Sequence, residues 1–333
     1  MKAAVLYEFG AVPRYEEFPD PVIEDGELGV KVEAVIVDYA LKALASGTHF
    51  ASKQFYPSFP AIVGRSGVGS LDDGTLVNFQ ITRFPYGSMA ERVAAQKSFV
   101  TPIPQGIDAV QAAVVPSAAQ SSLLPLRYTA KLQAGETVLI NGATSVSGML
   151  AVKLAKSLGA GRVVGTGRNP ASGERAKEAG ADAFISLNQS DEKLAEALRR
   201  EEGEGYDVIL DYLCGHPTEV LLSTFTPTAI GFARKRTRLV LIGVLAGRSM
   251  QLSAQSVVTS GLEIYGFGAP NSPETLKNRA EGIAQIWDML KRGELSIDAV
   301  SFPLSDIKKA WELEEHGRRI VIVPFVERVV QFP

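Results

Sequence analysis

The sequence predicts a two-domain α/β protein, in which a β-rich domain accompanies a doubly wound domain built on a six-stranded parallel sheet. Three observations support this prediction. The chain has 333 residues, more than one ordinary hydrophobic core needs. The first hundred residues hold short strand patterns separated by Gly and Pro, with one helical stretch near Tyr39–Ala45. From about residue 123 to residue 268, apolar strands alternate with helices instead.

The β-rich part is expected to be small and barrel-like. Its predicted strands are residues 3–7, 28–37, 62–68, 76–80 and 88–93. The tail holds an amphipathic helix at 274–292, a helix at 305–315 and a strand at 319–323, and we expect it to pack back on the first domain. Residues 1–117 and 269–333 would then form a discontinuous β-rich domain, and residues 118–268 the doubly wound domain.

The central part shows the alternation of a doubly wound fold. Its predicted strands are 137–141, 162–166, 183–186, 207–211, 238–242 and 263–265; its predicted helices are 146–158, 173–179, 191–201 and one starting near 217. Strand patterns such as VLIN, VVGT and VILD are apolar on both faces, which is typical of a parallel sheet covered by helices on both sides.

The composition narrows the class of protein. A hydrophobic fraction of 46%, a charged fraction of 21% and a net charge of -3 are typical of a soluble globular protein and do not indicate nucleic-acid binding. The basic run at 234–238 is short and is interpreted as a solvated loop. With no signal-peptide pattern, no apolar run long enough to span a membrane and a single cysteine, Cys214, we expect a cytoplasmic protein.

A candidate phosphate-binding turn follows the first strand of the central part. Residues 142–148 read GATSVSG and run into a helix. Against the dinucleotide pattern G-x-G-x-x-G this is A-x-S-x-x-G, with small residues where the chain must turn tightly. The helix start offers free N–H groups and a partial positive charge to a pyrophosphate. The predicted cofactor contacts here are Thr144, Ser145, Val146 and Gly148.

The second strand indicates which nicotinamide cofactor is used. It runs into Gly167-Arg168-Asn169, where an NAD enzyme usually has an Asp or Glu that binds the ribose 2′-hydroxyl. A carboxylate would repel a 2′-phosphate, whereas a guanidinium can bind it bidentately. Gly167 leaves room and Asn169 can add a hydrogen bond. NADP(H) is therefore the predicted cofactor, the alternative being that Arg168 is a solvated loop residue.

In combination, these motifs resemble the medium-chain dehydrogenase/reductase superfamily. The similar segments are KAAVLYEFG, PAIVGRSGVG, GSMAE, ETVLINGATSVSGMLAVKLAKSLGAGRVVGTGRN, YDVILDYLCG and RRIVIVPF, which together extend over nearly the whole chain. The resemblance implies a GroES-like β-rich catalytic domain. Within the superfamily the chain is similar to the zinc-free branch of quinone and enoyl reductases. Where zinc-dependent relatives have Gly-His-Glu-x-x-Gly, this chain has Arg65 and Ser66, and its histidines, His49, His216 and His316, are scattered, so no metal is expected.

The resemblance also assigns further residues. Ser121 takes the place of a Thr that contacts the nicotinamide carboxamide. Gly243 and Val244 follow a strand whose end touches the nicotinamide, and Phe267 and Gly268 follow the sixth strand. Arg319 stands where relatives often keep a Lys near the cofactor phosphates. Because relatives often pair through the edge strand near 263–267, a homodimer is expected.

Without a Lewis acid, an acceptor that delocalises negative charge suits the site best, which favours quinones and α,β-unsaturated carbonyls over alcohols. Tyr39 is the first candidate proton donor, followed by Lys42, with His49 and Tyr56 nearby in sequence. Tyr39 could equally be a packed aromatic residue, and Lys42 solvated or salt-bridged. Cys214 is interpreted as core packing. Two alternatives stay open: an enoyl-thioester or biosynthetic tailoring reductase, and a non-catalytic NADPH-binding sensor or structural protein.

Overall fold

A computed structural model describes residues 1–80, 82–226, 235–267, 273–314, 317–325 and 330–332 of the chain. These residues fall into two compact units, one made of Met1–Ser117 with Trp287–Pro333 and one of Ala118–Ile286. The second domain boundary was predicted at 268/269, whereas the compact units divide at 286/287. Among the helices that the structure describes, none combines the length and the apolar composition of a membrane span.

The N-terminal part of the first unit consists mainly of short strands. Its elements are β1 (Lys2–Leu6), β2 (Arg14–Glu17), β3 (Glu27–Val37), α1 (Tyr39–Ala45), α2 (Ser52–Phe55), β4 (Ala61–Ile62), β5 (Ser66–Ser70), β6 (Leu76–Gln80), β7 (Arg92–Gln96), a 3-10 turn at Lys97–Phe99 and β8 (Val100–Pro102).

Helix α3 (Ala109–Leu124) leads into the second unit and continues as a π-helical turn at Pro125–Thr129. Strands and helices then alternate: β9 (Thr137–Asn141), α4 (Val146–Ser157), β10 (Arg162–Gly167), α5 (Pro170–Glu178), β11 (Ala183–Ser186), α6 (Asp191–Glu202), β12 (Val208–Asp211), α7 (Gly215–Ser223), β13 (Thr237–Leu241), α8 (Ala254–Ser260) and β14 (Leu262–Gly266).

The remaining elements are α9 (Pro273–Lys291), β15 (Ala299–Phe302), a 3-10 turn at Leu304–Asp306, α10 (Ile307–Glu312), β16 (Arg319–Ile322) and β17 (Val330–Phe332). The helix predicted at 305–315 is observed as this 3-10 turn followed by α10, and residue 315 lies outside the described residues.

The second unit is built on a six-stranded sheet in the order β11-β10-β9-β12-β13-β14, with all neighbours parallel. The order reverses next to β9, so ligand-binding loops are expected at the carboxyl ends of β9, β10 and β12. Leu139, Val164, Ile209 and Leu239 are fully buried in these strands. The predicted fold class, a β-rich domain with a doubly wound parallel sheet, is confirmed.

The first unit carries two sheets. One has the order β2-β1-β4; the other runs β17-β15-β16-β3-β5-β6-β8, with β7 also pairing with β3. Because β16 pairs antiparallel with the end of β3, the two chain segments of this unit share one sheet. Val32, Val63, Phe79 and Ile322 lie fully buried in its core.

Two strand predictions in this unit were wrong. The predicted strand 62–68 is divided into β4 and β5, because Gly64 has φ +101°, and an added Cβ there would lie within 2.2 Å of the Ser88 hydroxyl. The predicted strand 88–93 begins later, at Arg92, as β7. The residues before it, such as Gly87, instead cross closely over the backbone of Ile62, where a Cβ would have no room.

Candidate active site

The turn between β9 and α4 is held by its own small side chains. Gly142 has φ +99°, in the left-handed region that favours glycine. Ser145 is the N-cap of α4: its Oγ accepts from the Gly148 N–H at 3.0 Å and donates to the Gly142 carbonyl at 3.0 Å. The Ser145 hydroxyl is therefore committed to the cap. The N–H groups of Val146 and Ser147, which start the helix, remain suited to an anion.

Two glycines bring the surrounding backbone close to this turn. A Cβ on Gly148 would lie 2.2 Å from the Gly142 carbonyl oxygen and 2.7 Å from the Cα of Ala143. One on Gly167, at the end of β10, would lie 2.3 Å from Cγ2 of Thr144. The turn and the end of β10 are thus in direct contact, so Thr144 and Gly167 belong to one surface.

Arg168 follows directly on that surface. It is exposed, and among the described residues its guanidinium has no salt-bridge partner. Its backbone is fixed by contrast, since its carbonyl accepts from Nδ2 of Asn188 at 2.8 Å. Asn169 caps α5, with Oδ1 accepting from the Ala171 N–H at 3.0 Å. A fixed backbone with a free cationic side chain is the arrangement that an anionic ligand group requires.

A buried polar network supports the carboxyl ends of three strands. Asp211 is fully buried at the end of β12, and its carboxylate accepts from Nδ2 of Asn141 at 2.9 Å and from Oγ1 of Thr218 at 2.7 Å. Asn141 in turn accepts from Thr166 at 2.7 Å, and Thr166 accepts from the Gly142 N–H at 3.1 Å. This network links β9, β10 and β12 and sets the position of the phosphate-binding turn.

Ser121 lies on α3, half-buried, with its hydroxyl donating to the Ala118 carbonyl at 2.8 Å. The hydroxyl lone pairs can still accept from an amide, which is what a carboxamide contact needs. The phenol of Tyr212 lies 3.1 Å from the Ser121 carbonyl and 2.8 Å from the Ser122 hydroxyl. The sequence analysis did not find Tyr212, because nothing local connects residues about ninety positions apart.

Gly243 and Val244 lie in the loop after β13. A Cβ on Gly243 would lie 2.4 Å from the Tyr212 carbonyl oxygen, so this loop approaches the end of β12 through a position without a side chain. Val244 is 52% exposed. Phe267 follows β14, with its N–H donating to Leu241 at 2.8 Å. Gly268 lies outside the described residues.

Phe267 borders a cavity of about 890 Å³ whose wall contains none of the residues of the turn. Its lining includes Lys235, Arg236 and Arg238, so part of it lies at the amino ends of the strands. The interpretation of the 234–238 run as a solvated loop is wrong for Arg238, which is buried and bonded to Glu136 at 2.5 Å. Arg234 lies outside the described residues.

The candidate proton donors lie in the first unit. Tyr39 begins α1 and is 68% exposed, so it is not a packed aromatic residue. Lys42, three residues on, donates to the Leu313 carbonyl at 3.3 Å. Burial lowers the pKa of Lys42, and the nearby Glu314 carboxylate opposes that shift. Lys42 is therefore anchored by a backbone carbonyl rather than freely solvated.

The other residues singled out in this unit are less available. Tyr56 is buried in the core, where burial raises its pKa and its oxygen accepts from the Gly64 N–H at 3.3 Å. His49 stacks on the exposed Phe50, and its Nδ1 accepts from the Ala51 N–H at 3.2 Å. Burial lowers the pKa of Arg319, while the Asp38 carboxylate raises it; the Arg319 Nε has no hydrogen-bond partner among the described residues.

The donor set does not suit a catalytic metal. Arg65, at the position of the expected histidine ligand, is exposed, and a guanidinium has no lone pair to offer. Within the described ranges, no three His, Cys, Asp or Glu side chains are grouped so that they could hold a metal ion. His316 lies outside those ranges.

Comparison with known proteins found similar sequences and structures. Residues 148–285 match the family model described as zinc-binding dehydrogenase. A quinone oxidoreductase from Pseudomonas aeruginosa is 26% identical over 254 residues, covering 73% of this chain and 74% of that protein. A mycobacterial quinone oxidoreductase has a TM-score of 0.80 at 21% identity, covering 97% of this chain and all of that one.

A third similar protein is the quinone oxidoreductase from Thermus thermophilus, which was also solved as a complex with NADPH. Its TM-score is 0.75 at 24% identity, again covering 97% of this chain and 100% of that chain. In its fold, its Ser-capped turn and these matches, the chain is similar to the medium-chain dehydrogenase/reductase superfamily. The three similar proteins named here are all quinone oxidoreductases.

Proposed function

We propose that this protein is a zinc-independent, NADPH-dependent reductase that transfers hydride to a quinone or an α,β-unsaturated carbonyl compound. The observation that carries the proposal is Arg168, an exposed arginine without a salt bridge among the described residues, whose backbone is fixed beside the phosphate-binding turn. The complex of the Thermus thermophilus relative with NADPH supports the same cofactor.

The second unit has the groups that NADPH requires. The N–H groups at the start of α4 bind the pyrophosphate, and Gly148 and Gly167 keep that surface free of side chains. Arg168 and Asn169 bind the 2′-phosphate. The Ser121 oxygen, whose own proton goes to Ala118, accepts a hydrogen bond from the carboxamide and orients the ring. NADPH supplies a hydride from C4 of its nicotinamide.

A quinone or enone fits because its product anion is delocalised as a phenolate or enolate, so no Lewis acid is needed. The protein then has to orient the acceptor and to exclude water. We assign proton donation to Tyr39, whose phenol is exposed, or to solvent. Lys42, held by Leu313, adds a positive charge to this region.

The cofactor assignment is tested with Arg168→Ala. We expect NADPH affinity to fall at least tenfold and NADH affinity to change less than twofold, because only NADPH carries the phosphate that the guanidinium binds. Calorimetric titration measures both. Arg200→Ala is the matched control, since Arg200 is an exposed arginine of the same unit at the end of α6. An equal loss for the two cofactors would refute the phosphate role.

The reaction is tested on chelator-treated protein by following NADPH oxidation with a panel of quinones, enones and acyl thioesters. Turnover with quinones or enones supports the proposal, and Tyr39→Phe should lower kcat without changing NADPH affinity if the phenol donates the proton. Turnover with thioesters alone would favour an enoyl-thioester reductase. Tight NADPH binding with no turnover on any acceptor would favour a non-catalytic protein.

We further propose that residues 1–117 and 269–333 act as the substrate domain, that residues 118–268 bind the cofactor, and that the protein is a cytoplasmic homodimer. Support for the dimer is that β14 is the outermost strand of its sheet and that α8 exposes Val257 and Val258, the latter at 82%. If the β14 strands of two copies paired antiparallel, each would cover the open sheet edge of the other. A monomer in light scattering at micromolar concentration would contradict this assignment.

A further inference from the structure

Helix α3 contains a carbonyl that its own sequence leaves without the usual partner. In an α-helix the Ser121 carbonyl would accept from the N–H four residues later. That residue is Pro125, which has no N–H, and the chain changes to a π-helical turn there. A carbonyl in a largely buried stretch needs another donor. The Tyr212 hydroxyl, 3.1 Å away, supplies it from the end of β12.

The direction of the hydrogen bond between Tyr212 and Ser121 follows from the protons available. A carbonyl can only accept, so the single proton of the Tyr212 hydroxyl goes to Ser121. The Ser122 hydroxyl lies 2.8 Å from the Tyr212 oxygen and also lies 3.2 Å from the Ala118 carbonyl and 3.0 Å from the Ser147 carbonyl, so its single proton has three acceptors. Tyr212 is only 4% exposed, and burial raises its pKa, so the phenol keeps its proton at physiological pH. Tyr212 therefore has a proton to donate to the Ser121 carbonyl.

This chain of hydroxyls connects elements that meet at the cofactor surface. Ser122 also lies 3.0 Å from the carbonyl of Ser147, in the first turn of α4. Tyr212 itself lies next to Asp211, which anchors the polar network under the turn, and Gly243 packs on its carbonyl. The Tyr212 hydroxyl is therefore the point through which the end of β12 fixes the peptide that carries Ser121.

We propose that Tyr212 is a positioning residue for the nicotinamide: its hydroxyl fixes the Ser121 peptide at the break caused by Pro125 and so orients the Ser121 side chain toward the carboxamide. This inference rests on the proposed function, because it needs Ser121 to contact the nicotinamide. Tyr212 touches neither cofactor nor substrate in this scheme. Its effect should therefore be confined to the nicotinamide half of NADPH.

The test separates the two halves of the cofactor. Calorimetric titration is carried out with NADPH and with adenosine 2′,5′-bisphosphate, which has the 2′-phosphate but no nicotinamide. For Tyr212→Phe we expect NADPH affinity to fall about fivefold and adenosine 2′,5′-bisphosphate affinity to stay within a factor of two, since one hydrogen bond is lost only on the nicotinamide side.

Tyr206→Phe is the matched control. Tyr206 comes just before β12 as Tyr212 comes just after it, is 1% exposed and donates to the Leu198 carbonyl at 2.9 Å. Loss of the Tyr206 hydroxyl should lower thermal stability about as much as loss of the Tyr212 hydroxyl. It should leave the affinities for NADPH and for adenosine 2′,5′-bisphosphate unchanged. Equal weakening of both ligands by Tyr212→Phe, or no change in either, would overturn the inference.

A second substitution that restores the missing N–H tests whether the Ser121 carbonyl is responsible for the loss of NADPH affinity. It also keeps the inference testable if Tyr212→Phe alone folds poorly. Pro125→Ala returns an N–H to residue 125, which can then satisfy the Ser121 carbonyl within the helix. The double variant Pro125→Ala/Tyr212→Phe should recover most of the lost NADPH affinity; no recovery would contradict the role of the carbonyl. If the unaltered protein binds neither ligand, the proposed function itself has failed, which is a different result from a failure at Tyr212.

Discussion

Replacement of Gly148 by alanine is a stringent test of the phosphate-binding turn. The added Cβ would lie 2.2 Å from the Gly142 carbonyl oxygen and 2.7 Å from the Cα of Ala143, and both neighbours are backbone atoms. An ordinary carbon–oxygen contact needs about 1 Å more, so α4 must move away from the turn by roughly that distance. A shift of about 1 Å takes an N–H···O contact beyond hydrogen-bonding distance.

Two effects follow from that shift. Loss of one hydrogen bond to a charged phosphate weakens binding by roughly 10- to 100-fold. Forced packing costs about 1–3 kcal/mol of unfolding free energy. Calorimetric titration with NADPH measures the first effect and urea unfolding the second.

Gly266→Ala is the control for Gly148→Ala, because an added Cβ on Gly266 meets nothing within 4 Å and its φ lies outside the left-handed region. We expect it to change neither NADPH affinity nor stability appreciably. If Gly148→Ala bound NADPH as the unaltered protein does, with the same unfolding midpoint, the close approach of α4 to the turn would not be what creates the binding surface.

Two further predictions concern the charged residues near the start of β13. Glu136→Ala should cost about 3 kcal/mol in urea unfolding, because it leaves the Arg238 cation, 8% exposed, without its carboxylate. Arg236→Ala breaks a pair in which the arginine is 63% exposed and should cost much less; similar losses would contradict this distinction. The Arg236 guanidinium, with Tyr265, lowers the pKa of Glu263 to about 2. Because the folded pKa lies below the unfolded value, this stabilisation is present above about pH 4.5 and is lost as the pH falls toward 2. The stability difference between the unaltered protein and Glu263→Gln should shrink over that interval in pH-dependent unfolding; a constant difference would argue against the shift.

The sequence predicted the bounds of an element best where a buried apolar run or a helix cap determines where that element begins and ends. Strands β9 and β11 were predicted with their observed bounds, since apolar runs bounded by polar turns have few other solutions in a parallel sheet. The same holds for α1, where Asp38 provides the N-cap at 2.8 Å from the Leu41 N–H. Errors in the first unit arose at Gly64 and Gly87, because close backbone crossings between distant segments leave no local pattern.

In the candidate site too, local features could be predicted from the sequence, whereas contacts between distant residues could not. The position of the turn and of Arg168 could be predicted, because strand ends and helix starts are local signals. The Ser145 hydroxyl caps α4, and its spacing of three residues from Gly148 could also have predicted this role. The role of Tyr212 could not, because it depends on a missing N–H at Pro125 and on a strand end about ninety residues away.

The pairing of β16 with β3 has a consequence for the order of events during synthesis. The end of β3 at Val37 pairs with Ile320, so this edge stays open until about 280 further residues have been made, roughly 15–60 s at ordinary translation rates. The second unit is one continuous stretch and can fold during that interval. The first unit of a nascent chain therefore still has an open strand edge when the parallel sheet of the second unit can already be complete.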